Sequence, residues 1–244
     1  MTLDFNGKTV LVVGGSSGIG NGVAQAFRSC GAGVHVCGTR AVAADYDGVE
    51  GSNLDGLHYT QLHLDDPESV QAWTPPFEQL DVVVLSQGTV LYGRGEFAMA
   101  GFRKVVEVNL MSLMALSLKF HDLLATSRGA LIIVSSIASF RATRGNPAYS
   151  ASKSGALGLT RTLGEVWAAD GIRVNGIAPG LVDTKLTQAT MAHPKRRDAA
   201  LQSIPLGRFG TPGEIANVAL FLASPLASYI VGHTIVVDGG MILS

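Results

Sequence analysis

The chain has 244 residues and a formal net charge of −1, so it lacks the cationic surplus that binding a nucleic-acid backbone requires. Charged residues make up only 15% against a usual share of about 25%, which leaves apolar surface beyond a filled core and points to a homo-oligomer, a dimer or a tetramer. Two cysteines in apolar stretches (Cys30 and Cys37), no basic-then-apolar leader and no run of about 18 apolar residues fit a reduced, cytoplasmic protein without a membrane span, built as one domain over residues 1–244.

In chain order, short apolar runs suited to buried strands fall at 9–13, 34–37, 59–64, 82–85, 130–135, 173–177 and 234–237. Stretches with helical spacing lie between them at 22–28, 102–124 and 151–169. Strand alternating with helix implies an α/β fold: a doubly wound parallel sheet of about seven strands, with helices on both faces. Residues 41–57, rich in Gly and Asp, lack a helical period and read as a loop or a very short helix. Residues 185–206 contain Pro194 and Pro205 and read as an irregular substrate lid, followed by a capping-box helix start at Thr211-Pro212-Gly213-Glu214.

The first strand runs into Gly14-Gly15-Ser16-Ser17-Gly18-Ile19-Gly20, and a helix follows. Gly14 lets the chain leave the strand without a Cβ clash, Gly18 leaves room for a diphosphate, and Gly20 lets the helix pack closely on the sheet. The free N–H groups of the helix start, backed by the helix dipole, then face the anion. Many tight turns use glycine, but its place between a first strand and a first helix favours a nucleotide.

Tyr149 and Lys153, four residues apart at the start of a helix, share one face. A phenol titrates at about pH 10, and an ammonium one turn away favours the phenolate, which brings the group towards general acid/base work. Alone, such a pair is an ordinary helix surface. Here a central strand over 131–136 ends in Ser135-Ser136 at the carboxyl edge of the sheet, where doubly wound folds bind ligands. Asn109 is a polar residue inside an apolar helix, which by itself reads as a core asparagine bonded to backbone.

The three-residue gap between Gly14 and Gly18, with Tyr149-x-x-x-Lys153 and Ser136 thirteen residues before Tyr149, resembles the short-chain dehydrogenase/reductase family of Rossmann-fold enzymes over nearly the whole chain. The resemblance implies an NAD(P)-dependent oxidoreductase that interconverts a secondary alcohol and a ketone on a small molecule. Tyr149 would be the general acid/base, Ser136 would hold the substrate oxygen, and Lys153 would serve both the tyrosine and a ribose. Asn109 would bond helix backbone and hold a proton-relay water. Gly14, Ser16, Ser17, Gly18, Ile19 and Gly20 would meet the diphosphate, and Leu64 and Gly88 the adenosine. Pro179, Gly180, Val182 and Thr184 would lie at the nicotinamide, and Tyr149 and Lys153 would also touch the cofactor. No metal is implied.

Three positions depart from the family pattern: Val13 stands for a common threonine, Leu85-Ser86-Gln87-Gly88 for Asn-Asn-Ala-Gly, and His63 for an aspartate that often meets the adenine amine. Ser86 or Gln87 must then tie the fourth strand to its neighbours. At the end of the second strand, Gly38-Thr39-Arg40 offers no acid for a ribose 2′-hydroxyl before Asp45, so Thr39 and Arg40 are expected to take a 2′-phosphate. NADP(H) is favoured, with NAD(H) the alternative. Two other functions compete. A β-ketoacyl thioester reductase, acting on acyl carrier protein or coenzyme A, would use Lys195-Arg196-Arg197 on phosphates, but Asp170 stands where those reductases often carry a basic residue. A non-catalytic nucleotide-sensing regulator usually loses the tyrosine or the lysine, and both are present here.

Overall fold

The computed structural model describes Leu3–Leu243. Seven strands form one parallel sheet in the order β3-β2-β1-β4-β5-β6-β7. They are β1 (Thr9–Val13), β2 (Gly33–Gly38), β3 (His58–Gln61), β4 (Val82–Leu85), β5 (Ala130–Val134), β6 (Arg173–Pro179) and β7 (Thr234–Val237). The winding direction reverses between β1 and β4, which pair from Val10↔Val82 to Val13↔Leu85 and open a crevice at their carboxyl ends.

Alternation along the strands divides the core between the two faces. Val10, Val12, Val82, Val84 and Ile132 pack with Val23 and Phe27 of α1 (Gly18–Ser29) and with Ile215 and Ala219 of α8 (Pro212–Ala223). Leu11, Val13, Val83, Leu85, Leu131 and Ile133 pack on the other face, against Leu113, Leu116 and Phe120 of α4 (Ser112–Ser127) and Leu163 of α5 (Pro147–Trp167). A one-residue slip in any central strand would exchange these two sets. Each such side chain contributes about 1.5–3 kcal/mol on burial.

Several elements differ from the sequence reading. The third strand stops at Gln61: the Leu62 N–H to the Gly38 carbonyl at 2.8 Å is its last bond to β2, and the chain then runs on to Asp66. Asp66 then caps an unforeseen helix, α2 (Pro67–Ala72), by accepting from Glu68 N–H at 3.0 Å. The long helix expected over 102–124 is broken into α3 (Met99–Val106), a wider π-helical turn at Glu107–Met111, and α4. Residues 41–57 hold one 3-10 turn, Ala43–Tyr46. Residues 185–206 are not irregular: they form α6 (Gln188–Met191) and α7 (Pro194–Gln202), and Pro194 opens α7 as an N1 proline does. The capping box is present, with Glu214 accepting from Thr211 N–H at 2.9 Å and Thr211 from Glu214 N–H at 3.3 Å. No described helix is long and apolar enough to cross a membrane.

Candidate active site

The glycine turn is built as its spacing requires. Gly14 sits at φ 74°, and a Cβ on it would lie 2.9 Å from the Gln87 nitrogen; one on Gly20 would lie 2.2 Å from the Gly14 carbonyl oxygen. Above the turn a cavity of about 1080 Å³ runs along the carboxyl edge of the sheet. It is lined by Gly14, Ser16, Ser17, Gly18, Ile19, Gly20, Thr39, Leu64 and Gly88 at one end. Ser136, Tyr149, Lys153, Pro179, Gly180, Val182 and Thr184 line the rest. One N–H expected to face an anion is already engaged, since Gly18 donates to the Gly51 carbonyl at 2.8 Å.

Tyr149 lies in the first turn of α5, because Pro147 starts that helix four residues earlier than the apolar spacing suggests. Ser136, which follows β5 and accepts from Ala138 N–H at 3.1 Å, lines the same cavity. Lys153 is buried, donates to the Val134 carbonyl at 2.9 Å, and sits 5.8 Å from the Tyr149 ring centre. Ser135 and Ser139 both donate to the Lys153 carbonyl, at 3.1 and 2.7 Å, which clamps the helix backbone to the strand end. Ser135 is therefore structural.

Asn109 occupies the π-helical turn and does not line the cavity. Contrary to the expectation, its partners are not helix backbone. Its Oδ1 accepts from Thr89 N–H at 2.7 Å, and its Nδ2 donates to the Thr89 carbonyl at 2.9 Å and to Ser152 Oγ at 3.2 Å. It thereby joins the loop after β4 to the second turn of α5.

The electrostatics also differ from the sequence reading. Burial, not the neighbouring ammonium, dominates Tyr149 and pushes its phenol above the usual range; the Ser136 hydroxyl opposes this, while Tyr92 and Glu96 add to it. Burial also lowers Lys153, to about 8. At neutral pH the tyrosine therefore carries its proton and the lysine its charge.

The adenosine end is rearranged. Gln87, not Ser86, anchors the end of β4 through its side chain, donating to Ser112 Oγ at 3.0 Å, and Ser112 donates on to the Val108 carbonyl at 2.7 Å. Ser86 is tied only by its backbone N–H to the Val13 carbonyl at 3.0 Å. His63 is exposed and pairs with Gln61 at 3.0 Å, whereas Asp65, two residues on, lines the cavity with Lys104 at 3.5 Å. Arg40 is the one expected cofactor residue absent from the cavity wall. Its guanidinium bonds the Asp45 carbonyl and lies 4.7 Å over the Tyr46 ring.

Sequence reasoning missed Glu96. It is 1% exposed, and its carboxylate accepts from Leu91 N–H at 3.1 Å, Asn146 Nδ2 at 3.1 Å and the N–H of Tyr149 at 2.9 Å. A lone glutamate in a short 3-10 turn, Gly95–Phe97, carries no signal for this, because the three donors come from segments up to 53 residues away. Residues 89–95, 140–146 and 185–206 are the loops from which the sequence leads one to expect the pocket's shape, and Arg141, Arg144 and Lys185 of the last two line the cavity.

A family model described as enoyl-(acyl carrier protein) reductase matches residues 13–242. The 2-dehydro-3-deoxy-D-gluconate 5-dehydrogenase of Bacillus subtilis is 36% identical over 243 residues, covering 97% of this chain and 95% of its own. The 3-oxoacyl-(acyl-carrier-protein) reductase FabG of Chlamydia muridarum is 35% identical over 246 residues, covering 96% and 97%. Among solved structures, one from Agrobacterium tumefaciens with bound NADP, provisionally assigned as a 2-deoxy-D-gluconate 3-dehydrogenase, superposes with a TM-score of 0.87 at 31% identity, covering 100% of this chain and 99% of its own. A short-chain type dehydrogenase/reductase from Mycobacterium ulcerans gives 0.86 at 29% identity, covering 99% and 92%. Glycine turn, parallel sheet and Ser136–Tyr149–Lys153 cluster agree with these likenesses: the chain belongs to the short-chain dehydrogenase/reductase family of NAD(P)-dependent oxidoreductases acting on CH–OH groups.

Proposed function

We propose that this enzyme reduces the ketone of a small, anionic substrate to a secondary alcohol, and runs the reverse oxidation, with NADP(H) favoured over NAD(H). The observation that carries the reading is that Ser136, Tyr149 and Lys153 line one cavity together with the glycine turn and Gly88. Ser136 holds the substrate oxygen and Tyr149 gives it a proton during reduction. Lys153 carries the adjacent charge and faces the strip beside Gly88, where a Cβ would stand 3.5 Å from its Nζ, so the wall stays open for a ribose. Asn109 holds the loop and helix that frame these groups. Gly14 to Gly20, Leu64 and Gly88 bind the adenosine diphosphate half, while Pro179, Gly180, Val182 and Thr184 bind the other half. The bound dinucleotide supplies or removes the hydride.

Arg141, Arg144 and Lys185 favour an anionic substrate, since Asp65 is the sole carboxylate among the described lining residues and pairs with Lys104. The sugar-acid name of the Bacillus relative agrees. Thioester reduction is the second reading, supported by the FabG likeness; Lys195, Arg196 and Arg197 are exposed on α7 outside the cavity wall, where a carrier could meet them. The setting is cytoplasmic, with the chain acting as one domain, and α6 and α7 as the substrate lid. Exposed Met111, Leu118 and Val166 favour a dimer or tetramer, which light scattering reads directly.

The test is Tyr149→Phe, assayed by nicotinamide absorbance against a panel of keto acids, neutral ketones and ketoacyl thioesters. Turnover should fall by at least about a hundredfold with cofactor affinity nearly intact. A variant that keeps most of its activity removes Tyr149 from the mechanism, and a preference for neutral ketones removes the anionic substrate.

A further inference from the structure

Tyr46 ends the Ala43–Tyr46 turn and is 7% exposed. Its hydroxyl accepts from the N–H of Thr39 at 3.2 Å and of Arg40 at 3.3 Å. A Cβ on Gly38 would fall 2.5 Å from the Tyr46 oxygen and 2.6 Å from Ser16 Oγ. The phenol oxygen thus stands where a side chain at position 38 would begin, just beneath Ser16, Gly38 and Thr39 of the cavity wall. Position 38 is glycine because this oxygen is there.

Two backbone N–H groups converging on one oxygen, with the Ser16 hydroxyl beside it, make a small nest for electron-rich atoms. Burial raises the Tyr46 proton affinity, yet the neighbouring Ser16, Tyr59, Arg40 and Thr39 outweigh it and leave the group below its usual range. The same turn also occupies the Arg40 guanidinium, through the Asp45 carbonyl and the Tyr46 ring. Tyr59 donates to the Arg40 carbonyl at 2.5 Å and holds the end of β2 from the other side. Further along, the segment is docked on α1 by Gly18 N–H to the Gly51 carbonyl at 2.8 Å and by Asn21 Nδ2 to the Asn53 carbonyl at 2.7 Å. The turn can therefore release while residues 51–53 stay in place.

We propose that Tyr46 sets the discrimination between nicotinamide cofactors with and without a 2′-phosphate: its hydroxyl occupies the Ser16–Thr39–Arg40 donor nest, so a 2′-phosphate binds only by displacing the Ala43–Tyr46 turn, whereas a bare ribose binds with the turn closed. Displacement frees the two N–H groups, the Ser16 hydroxyl and the Arg40 guanidinium together. The preference for NADP(H) is then what remains after the turn has opened. The inference rests on the dinucleotide reading above.

The test uses fragments that lack nicotinamide, so it does not depend on turnover. Wild type and Tyr46→Phe are titrated calorimetrically with adenosine 2′,5′-bisphosphate and with AMP at one ionic strength. The variant should bind the bisphosphate about fivefold more tightly or better, the scale of one neutral hydrogen bond, and AMP within about twofold of wild type. In wild type, amide exchange at residues 45–47 should quicken with the bisphosphate and not with AMP. Equal changes for both fragments, weaker bisphosphate binding, or no change in exchange would overturn the role of Tyr46 and leave the dinucleotide reading standing. If neither fragment binds either protein, the dinucleotide reading falls, and this proposal with it.

Discussion

Replacing Glu96 by glutamine keeps the side-chain shape but turns one acceptor oxygen into a donor. Whichever way the amide faces, it must present N–H groups either to the Tyr149 N–H or to the Leu91 and Asn146 pair. A hydrogen bond to a charged group is worth about 1.5–3 kcal/mol, and a buried donor left unpaired costs about 1–3. Glu96→Gln should thus destabilise by about 3 kcal/mol, or roughly 6–12 °C in Tm for a chain of this size. The kinetic effect is separate. Glu96 helps hold the Tyr149 proton, so its neutralisation should move the tyrosine limb of the kcat/KM profile to lower pH. Turnover should fall more than cofactor affinity, because Glu96 touches the tyrosine backbone and not the cavity. Thermal melts, a pH series of kcat/KM and cofactor titration read all three. An unchanged Tm together with an unmoved limb would show that Glu96 neither positions nor biases Tyr149.

Gly38→Asp supplies the acid that the end of β2 lacks, but its Cβ would meet Tyr46 and Ser16 at 2.5 and 2.6 Å. The variant should melt lower and gain no preference for NADH; tighter NADH binding at an unchanged Tm would refute this. His121 lies between Asp122 at 2.9 Å and Asp170 at 3.0 Å, with Trp167 against its ring, and both carboxylates raise its pKa above 6.5. A raised folded-state value means that the contribution is full below about pH 6.5 and is lost as pH rises through the folded value. The Tm advantage of wild type over His121→Asn should therefore shrink on going alkaline, and an advantage that grows would contradict the pairing.

Much of this molecule was legible because short-range spacing fixes which face a residue takes. Runs such as Thr9–Val13 and Val82–Leu85, recurring between helical stretches, suit strands buried on both sides, and Tyr149 and Lys153 at four-residue spacing share a helix face. What stayed hidden depends on contacts distant in sequence. Glu96 reaches Tyr149 only because the loop after β4 folds beneath α5. Arg40 turns from the cavity because a tyrosine six residues on offers its ring. The effect of Lys153 on Tyr149 was misjudged for a related reason: spacing gives proximity but not burial, and burial decides both groups. The six-residue α2 is too short to show a period, and α7 lies in a stretch without apolar spacing, so its opening Pro194 carries no helix signal in the sequence.

The wide turn at Glu107–Met111 bears on which length changes this chain can tolerate. The buried positions Val105, Asn109, Leu113, Leu116, Phe120 and Leu124 span 19 residue steps (124 − 105) in five turns, whereas five regular α-helical turns take about 18. One residue is surplus to the helix, and the wide turn absorbs it. Deleting a single residue there would let α3 and α4 fuse into one regular rod of about 18 steps over the same five turns, so Leu113, Leu116 and Phe120 would keep their places against the sheet. What the deletion would remove is the wide turn itself, and with it the seat that holds Asn109 against Thr89. Among natural variants of this chain, a single loss at this turn should therefore spare the core and cost only the placement of Asn109, whereas a single gain would turn the face of α4 away from the sheet by about 100°.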